Sequence, residues 1–250
     1  MTSDLYDELS GDEAPLGIPE RALTIGAHPD DAEFGAGATL ARWADAGTEI
    51  TMLIVTDGSK GSWDQEIDQT SLVSRRKDEQ SRAADVFGAA SVIHLDLIDG
   101  ELEYTMDLRK VLARHIRAVR PDVVLTHDPW QRYQLHPDHR VTGLAAIDAV
   151  VAAREPLMYT DLGIPAHRPD AILLWSADKP DHAEPVEPEW FDRKVEALLC
   201  HSSQGTTTMD GAGSGMAQRL AFIDRLAIRH AHNGETFGIG PAESFKKIKP

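Results

Sequence analysis

Two short stretches carry the residue types that chemistry needs. The first is His28-Pro29-Asp30-Asp31, with Glu33 just beyond, set between an apolar run and a helical segment. The second is His136-Pro137-Asp138-His139, which also opens a helical segment. Imidazole and carboxylate are ligands for transition metals and also the acids and bases of hydrolysis. Catalytic zinc typically takes three protein ligands and leaves one position open. Adjacent side chains point apart, so Asp30 and Asp31 divide their tasks, one on a metal and one facing a water. His28, one of these aspartates and one histidine of the second cluster would make a His/Asp/His site. One aspartate and one histidine then remain as base and acid for metal-assisted hydrolysis.

Elements of regular length must position these groups. Strand-like runs over 21–27, 49–56, 91–97, 121–127 and 170–176 are rich in Val, Ile and Leu. Helical segments near 35–46, 70–88, 106–119 and 137–153 alternate with them, and 195–203 reads as an amphipathic helix. Continuous apolar strands alternating with helices predict a single α/β, Rossmann-like domain with a mostly parallel, doubly wound sheet and helices on both faces. In such sheets ligands bind beyond the carboxyl ends of the strands. The first cluster falls there, and Asp57, Asp99 and His127 fall at or just past three other strand ends. Pro137 suits the first turn of a helix, and Asp138 beside it meets the favourable end of the helix dipole.

Other readings are poorer. A G-x-G-x-x-G loop after the first strand would need glycine at position 40, which is Leu40, and its carboxylates would repel a pyrophosphate. Residues 57–62 lack the spacing of a phosphate-binding loop, and "GAGSGM" lacks that of a nucleophile elbow. A two-metal phosphoesterase would need further ligands, for which Asp57 and Asp99 are the available pair. A noncatalytic carbohydrate-binding protein of the same fold is the other alternative; retention of every candidate acid, base and ligand argues against it.

The chain has 250 residues, room for one large domain. Its 41 acids against 25 bases give a net charge of -16, which argues against nucleic acid and anionic membranes as partners. No apolar run is long enough to span a membrane. Residues 1–19 read as an acidic arm ahead of a domain over 20–250. The single cysteine, Cys200, excludes an internal disulfide, reads as a buried inert thiol and fits a cytoplasmic protein. Residues 203–215 read as a mobile linker, or else as a cover over the site.

"AHPDDAE" (27–33) and "HPDH" (136–139) resemble the PIG-L/LmbE-like N-deacetylases. The resemblance extends to Arg76, Glu79 and Gly88 in "RKDEQSRAADVFG", and to Lys194, Ala197-Leu198, His201 and Gln204 in "KVEALLCHSSQ". It implies a zinc hydrolase that removes an acyl group from an amino sugar or glycoconjugate, with another divalent metal such as Fe²⁺ or Co²⁺ as an option; an oligomer is compatible with it. It assigns His28, Asp31 and His139 to the metal and Asp30 to the general base. His136 becomes the charged group that stabilises the oxyanion and protonates the leaving amine, and Asp138 orients it. Arg76 and Asp99 are implied as substrate contacts and Glu33 as a supporting residue. The remaining histidines, His94, His115, His167, His182, His230 and His232, are read as structural. The chain departs from mycothiol-pathway relatives two residues before His136, where they place an oxyanion-binding tyrosine. Gln134 occupies that position here, beside Tyr133, and is expected to take the role.

Overall fold

The computed structural model describes residues 16–250; most of the acidic arm, 1–15, lies outside them. The chain folds as β1 (Arg21–Gly26), α1 (Asp31–Asp45), β2 (Glu49–Thr56), α2 (Gln69–Phe87), β3 (Ser91–Leu97), α3 (Met106–Val119), β4 (Val123–His127), α4 (Pro137–Arg154), β5 (Ala171–Trp175), β6 (His182–Pro185), α5 (Pro188–Cys200), α6 (Met216–Phe237) and β7 (Ala242–Ile248). One seven-stranded sheet runs β3-β2-β1-β4-β5-β7-β6. The first five strands in that order are parallel, and β7 pairs antiparallel with both β5 and β6. No described helix is long and apolar enough to cross a membrane.

Period-two alternation gives the sheet two buried faces. Ala22, Ile50, Met52 and Leu125 face one way, with Trp43 of α1, Phe87 of α2 and Ala197 of α5. Leu23, Ile25, Leu53 and Val124 face the other way, with Leu112 of α3 and Ala149 of α4. The chain leaves β1 on one side for β2 and returns to β4 on the other. Between β1 and β4 the strand order therefore reverses, and a crevice opens at their carboxyl ends. His28 follows β1 and His127 ends β4, so both stand at its mouth.

The five strands and four crossover helices expected from the sequence are present. Helix α1 starts earlier than expected, at Asp31, and is not continuous. Ala36 leaves helical geometry at φ -147° and ψ 15°, which breaks the i to i+4 ladder. A buried ion pair repairs the break. Lys194 Nζ donates to Phe34 O at 2.8 Å, while Glu243 accepts from the backbone of Ala38 at 3.1 Å and of Thr39 at 2.8 Å. The two side chains meet at 2.6 Å. The antiparallel pair β6 and β7 and the 22-residue helix α6 were not foreseen; β7 brings Glu243 to this position. Cys200 is half-buried, and burial raises its thiol pKa, so it stays protonated.

Removing one partner of a buried ion pair costs about 3–5 kcal/mol, because the other charge is left uncompensated. Lys194→Met should therefore lower the unfolding free energy by that amount in urea titrations. A loss below about 1 kcal/mol would show that the pair is not what holds the break in α1 together.

Candidate active site

The crevice holds a cavity of about 520 Å³ with His28, Asp30, Asp31, His136 and His139 in its wall. Three donors converge in it. His28 Nδ1 lies 3.2 Å from His139 Nε2 and 3.5 Å from Asp31 Oδ2, and His139 Nε2 lies 3.3 Å from Asp31 Oδ1. Ligand bonds of about 2.0–2.2 Å in a tetrahedral zinc site place donors about 3.3–3.6 Å apart. The two Asp31 contacts use different carboxylate oxygens, and the described groups whose single ligand atoms all lie within 4.8 Å of one another are His28/His136/His139, His28/Asp99/His136/Asp138 and Asp31/His127/His139. The surrounding charge suits a cation. Asp99 Oδ1 and Asp138 Oδ2 lie 3.1 and 3.3 Å from His28 Nε2. Burial depresses the His28 pKa, but hydrogen bonds to Asp138, Asp31 and Asp99 more than offset this and leave it well above its usual range. The site calls for positive charge.

Asp30 and Asp31 are separated by backbone conformation. Asp30 caps α1 at φ 100°, a strained value for any residue but glycine. Its carboxylate stands in the wall of the same cavity, with Oδ2 accepting from Thr208 Oγ1 at 3.3 Å and Oδ1 lying 3.8 Å from Arg76 Nη2. Gln80 links it to Glu33: Asp30 N donates to Gln80 Oε1 at 3.1 Å, and Gln80 Nε2 donates to Glu33 Oε1 at 2.6 Å. Glu33 thus supports the site as expected. Burial raises the Asp30 pKa to about 6, although Arg76 and His201 pull it down. A carboxylate titrating there is suited to accept a proton near neutrality and release it again.

Asp31 is held by a chain of groups that begins in β5. Trp175 Nε1 donates to His127 Nδ1 at 3.0 Å, and His127 Nε2 lies 3.1 Å from Asp31 Oδ2, which also accepts His28 N at 2.7 Å. The indole can only donate, so Nδ1 is the acceptor and Nε2–H faces the carboxylate. Burial keeps His127 neutral, with its pKa pushed down to about 4. Its place at a strand end was visible in the sequence, but nothing there tied it to Trp175.

Several expected roles change in the structure. The Asp138 carboxylate does not orient His136. It bonds His28 and accepts Gly100 N at 2.7 Å, and only its backbone N–H reaches His136 Nδ1, at 3.3 Å. His136 is not favoured as a cation. Burial and the charge on His28 hold it below its usual pKa, and with Nδ1 accepting, the neutral ring carries its proton on Nε2. Arg76 is mainly a brace. It donates to Pro29 O at 2.7 Å and Gly58 O at 3.0 Å, and a Cβ at Gly58 would stand 2.6 Å from its guanidinium. Asp99 lines the cavity, yet one oxygen holds His28 and the other accepts Lys60 N at 3.0 Å. Gln134 does not line the cavity. Its amide donates to Gln131 at 2.7 Å and accepts His136 N at 3.1 Å, while Tyr133 faces solvent at 85% exposure. Residues 203–215 are packed: Met209 and Ala212 are buried, and Gln204 and Thr208 line the cavity, which suits a cover better than a linker.

The doubly wound sheet carries, at its reversal point, a His/Asp cluster that could hold a metal ion. The chain belongs to the PIG-L family, described as GlcNAc-PI de-N-acetylase, which it matches over residues 23–150. It is 36% identical over 193 residues to a diacetylchitobiose deacetylase of Thermococcus kodakarensis, covering 76% of this chain and 72% of the relative. It is 30% identical over 192 residues to a 1D-myo-inositol 2-acetamido-2-deoxy-alpha-D-glucopyranoside deacetylase of Kineococcus radiotolerans, covering 61% of this chain and 53% of the relative. An N,N'-diacetylchitobiose deacetylase from Pyrococcus horikoshii, solved with an inhibitor, superposes with a TM-score of 0.87 at 28% identity, over 100% of this chain and 93% of that one.

His127→Phe keeps the ring volume and removes the bond to Asp31. Loss of such a supporting hydrogen bond typically costs ~10–100-fold in metal affinity. Chelator competition with Zn²⁺ should show that loss while circular dichroism is unchanged; wild-type affinity in the variant would show that Asp31 needs no such support.

Proposed function

We propose that this protein hydrolyses the N-acetyl group of an amino sugar or glycoconjugate, with one zinc or similar divalent ion held by His28, Asp31 and His139. The overlapping His/Asp groups around His28, Asp31 and His139 in one cavity motivate the reading, and the family and its named relatives support it. A divalent ion held there by His28, Asp31 and His139 would supply a water molecule acidic enough to lose its proton near neutrality. Asp30 Oδ2 takes the proton from that water as its oxygen bonds the acyl carbon. His136 donates a hydrogen bond from Nε2 to the acyl oxygen as negative charge builds there. Asp30 then returns its proton to the nitrogen as the C–N bond breaks, giving acetate and the free amine. His28 is kept in orientation by Asp99 and Asp138, and Asp31 by His127. The single half-buried cysteine suits a cytoplasmic setting.

The two-metal phosphoesterase reading loses Asp57 as a ligand. Asp57 Oδ1 accepts from the backbone of Ser59 at 2.9 Å and of Asp99 at 3.1 Å. A second ion at Asp99 and Asp138 would have to displace their bonds to His28.

Asp30→Asn should retain one equivalent of metal and lose ~10²–10⁴ in turnover, the usual range for general acid–base help. Asp31→Asn should lose the metal itself. Elemental analysis with amine release from N-acetylglucosamine conjugates separates the two, and metal loss that follows Asp30 would reverse the assignment. The pH profile gives a second check. Asp30 acts as a base only when ionised, so activity should fall as pH drops through its pKa. A nearby cation lowers a carboxylate pKa, which places that acidic limb at or below about pH 6. A limb well above pH 6 would assign it to another group.

A further inference from the structure

One peptide group of the first cluster is gripped at both poles by a single helix. Arg76 and Gln80 lie four residues apart on α2 and share a face. Arg76 Nη2 donates to Pro29 O at 2.7 Å, and Gln80 Oε1 accepts from Asp30 N at 3.1 Å. Pro29 O and Asp30 N–H belong to the same planar unit. Two buried side chains therefore fix its orientation, one at each pole.

That grip opposes a strain. Asp30 holds φ 100° and ψ -18°, a region that residues with a Cβ avoid. Turning the Pro29–Asp30 peptide over would return Asp30 to an ordinary, negative φ. It would also point the carbonyl at Gln80 Oε1 and the N–H at the Arg76 guanidinium. Neither pairing forms a hydrogen bond, because two acceptors would face each other at one pole and two donors at the other.

Gln80 could meet a turned carbonyl only by rotating its own amide, and its surroundings hold that amide in place. Its Nε2 donates to Glu33 Oε1 at 2.6 Å and lies 3.9 Å from Met52 Sδ. A carboxylate accepts and does not donate, so the amide nitrogen stays on the Glu33 side and Oε1 stays on the Asp30 side. Glu33 is itself enclosed, with His201 Nε2 at 3.4 Å from the same oxygen. Asp31 is held independently, by His28 N at 2.7 Å and His127 Nε2 at 3.1 Å.

We propose that Arg76 and Gln80 form a clamp on the Pro29–Asp30 peptide, and that Gln80 is a positioning residue that aims the Asp30 carboxylate at the reacting water without helping to hold the metal. This rests on the reading of Asp30 as the base. It explains how two neighbouring aspartates are kept apart by groups on different elements, α2 for Asp30 and β4 for Asp31.

Amine release from N-acetylglucosamine conjugates, with zinc content measured alongside, tests it in the zinc-loaded wild type, Gln80→Leu, Gln80→Glu and the double exchange Gln80→Glu with Glu33→Gln. Gln80→Leu removes both bonds at similar volume and should lower kcat by about 100-fold, the scale of a misplacement of about 1 Å, with KM nearly unchanged and zinc retained. Gln80→Glu sets two carboxylates against each other and should also lose turnover. The double exchange reverses donor and acceptor between the two positions, keeps an acceptor for Asp30 N and should recover most of the loss, which mere space-filling would not do. This last comparison decides the matter even where Gln80→Leu does not fold. Wild-type kcat in Gln80→Leu, a loss in KM alone, loss of zinc, or no recovery in the double exchange would overturn the clamp and leave Asp30 as the base. Wild-type turnover in Asp30→Asn would overturn the base reading, and the clamp with it.

Discussion

Buried negative charge around one imidazole is the constraint on which the rest of this structure depends. Asp31, Asp99 and Asp138 are each buried, and each brings a carboxylate oxygen within 3.5 Å of a His28 ring nitrogen. Without a cation such a cluster is self-repelling. The fold provides partial relief, because Asp31 and Asp138 lie in the first turns of α1 and α4, at the positive ends of the two helix dipoles. The remaining demand raises the His28 pKa and calls for positive charge beside it. Sheet topology makes the arrangement possible, since only the reversal between β1 and β4 brings two strand ends and two helix starts to one point.

Around that centre, the structure assigns most polar residues to holding other residues. Arg76 ties the turn after β1 to the loop after β2. Glu79 accepts from Ser202 Oγ at 2.8 Å and Ser203 N at 2.9 Å, and Gln204 donates to Gly61 O at 3.0 Å. The far C-terminal segment is thereby fixed against the catalytic loops, and Thr208 reaches Asp30. A site built this way is pre-organised: Asp30 and Asp31 differ by one position in sequence, yet neighbours hold them in separate sets of contacts.

The parallel half of the fold was legible because its inner strands β2, β1, β4 and β5 are buried on both faces and read as nearly continuous apolar runs, while edge strand β3 keeps an apolar core of Val92, Ile93 and Leu95. The ends of β2, β3 and α3 match the sequence reading to the residue. The antiparallel half was not. Strand β6 is four residues long, and β7 mixes Glu243, Lys246 and Lys247 with apolar positions, so neither carries a clear period. In the site, the two His-Pro-Asp clusters and their placement at strand–helix junctions were legible, because proline and aspartate there have local causes. The direction of each side chain was not. The Asp138 carboxylate bonds His28 and not His136, Gln134 turns into its own loop, and Trp175 reaches His127 from the neighbouring strand; side-chain directions of this kind are set by the folded surroundings and not by spacing in the sequence.

X-ray diffraction from zinc-loaded crystals, with anomalous maps recorded on both sides of the zinc edge, tests the central claim most directly. The account expects one ion per chain, about 2.0–2.1 Å from a nitrogen of His28 and of His139 and about 2.0–2.2 Å from an Asp31 oxygen, with the Asp30 carboxylate outside bonding distance. Coordination by Asp30 or His136, or a second ion held by Asp99 and Asp138, would contradict it.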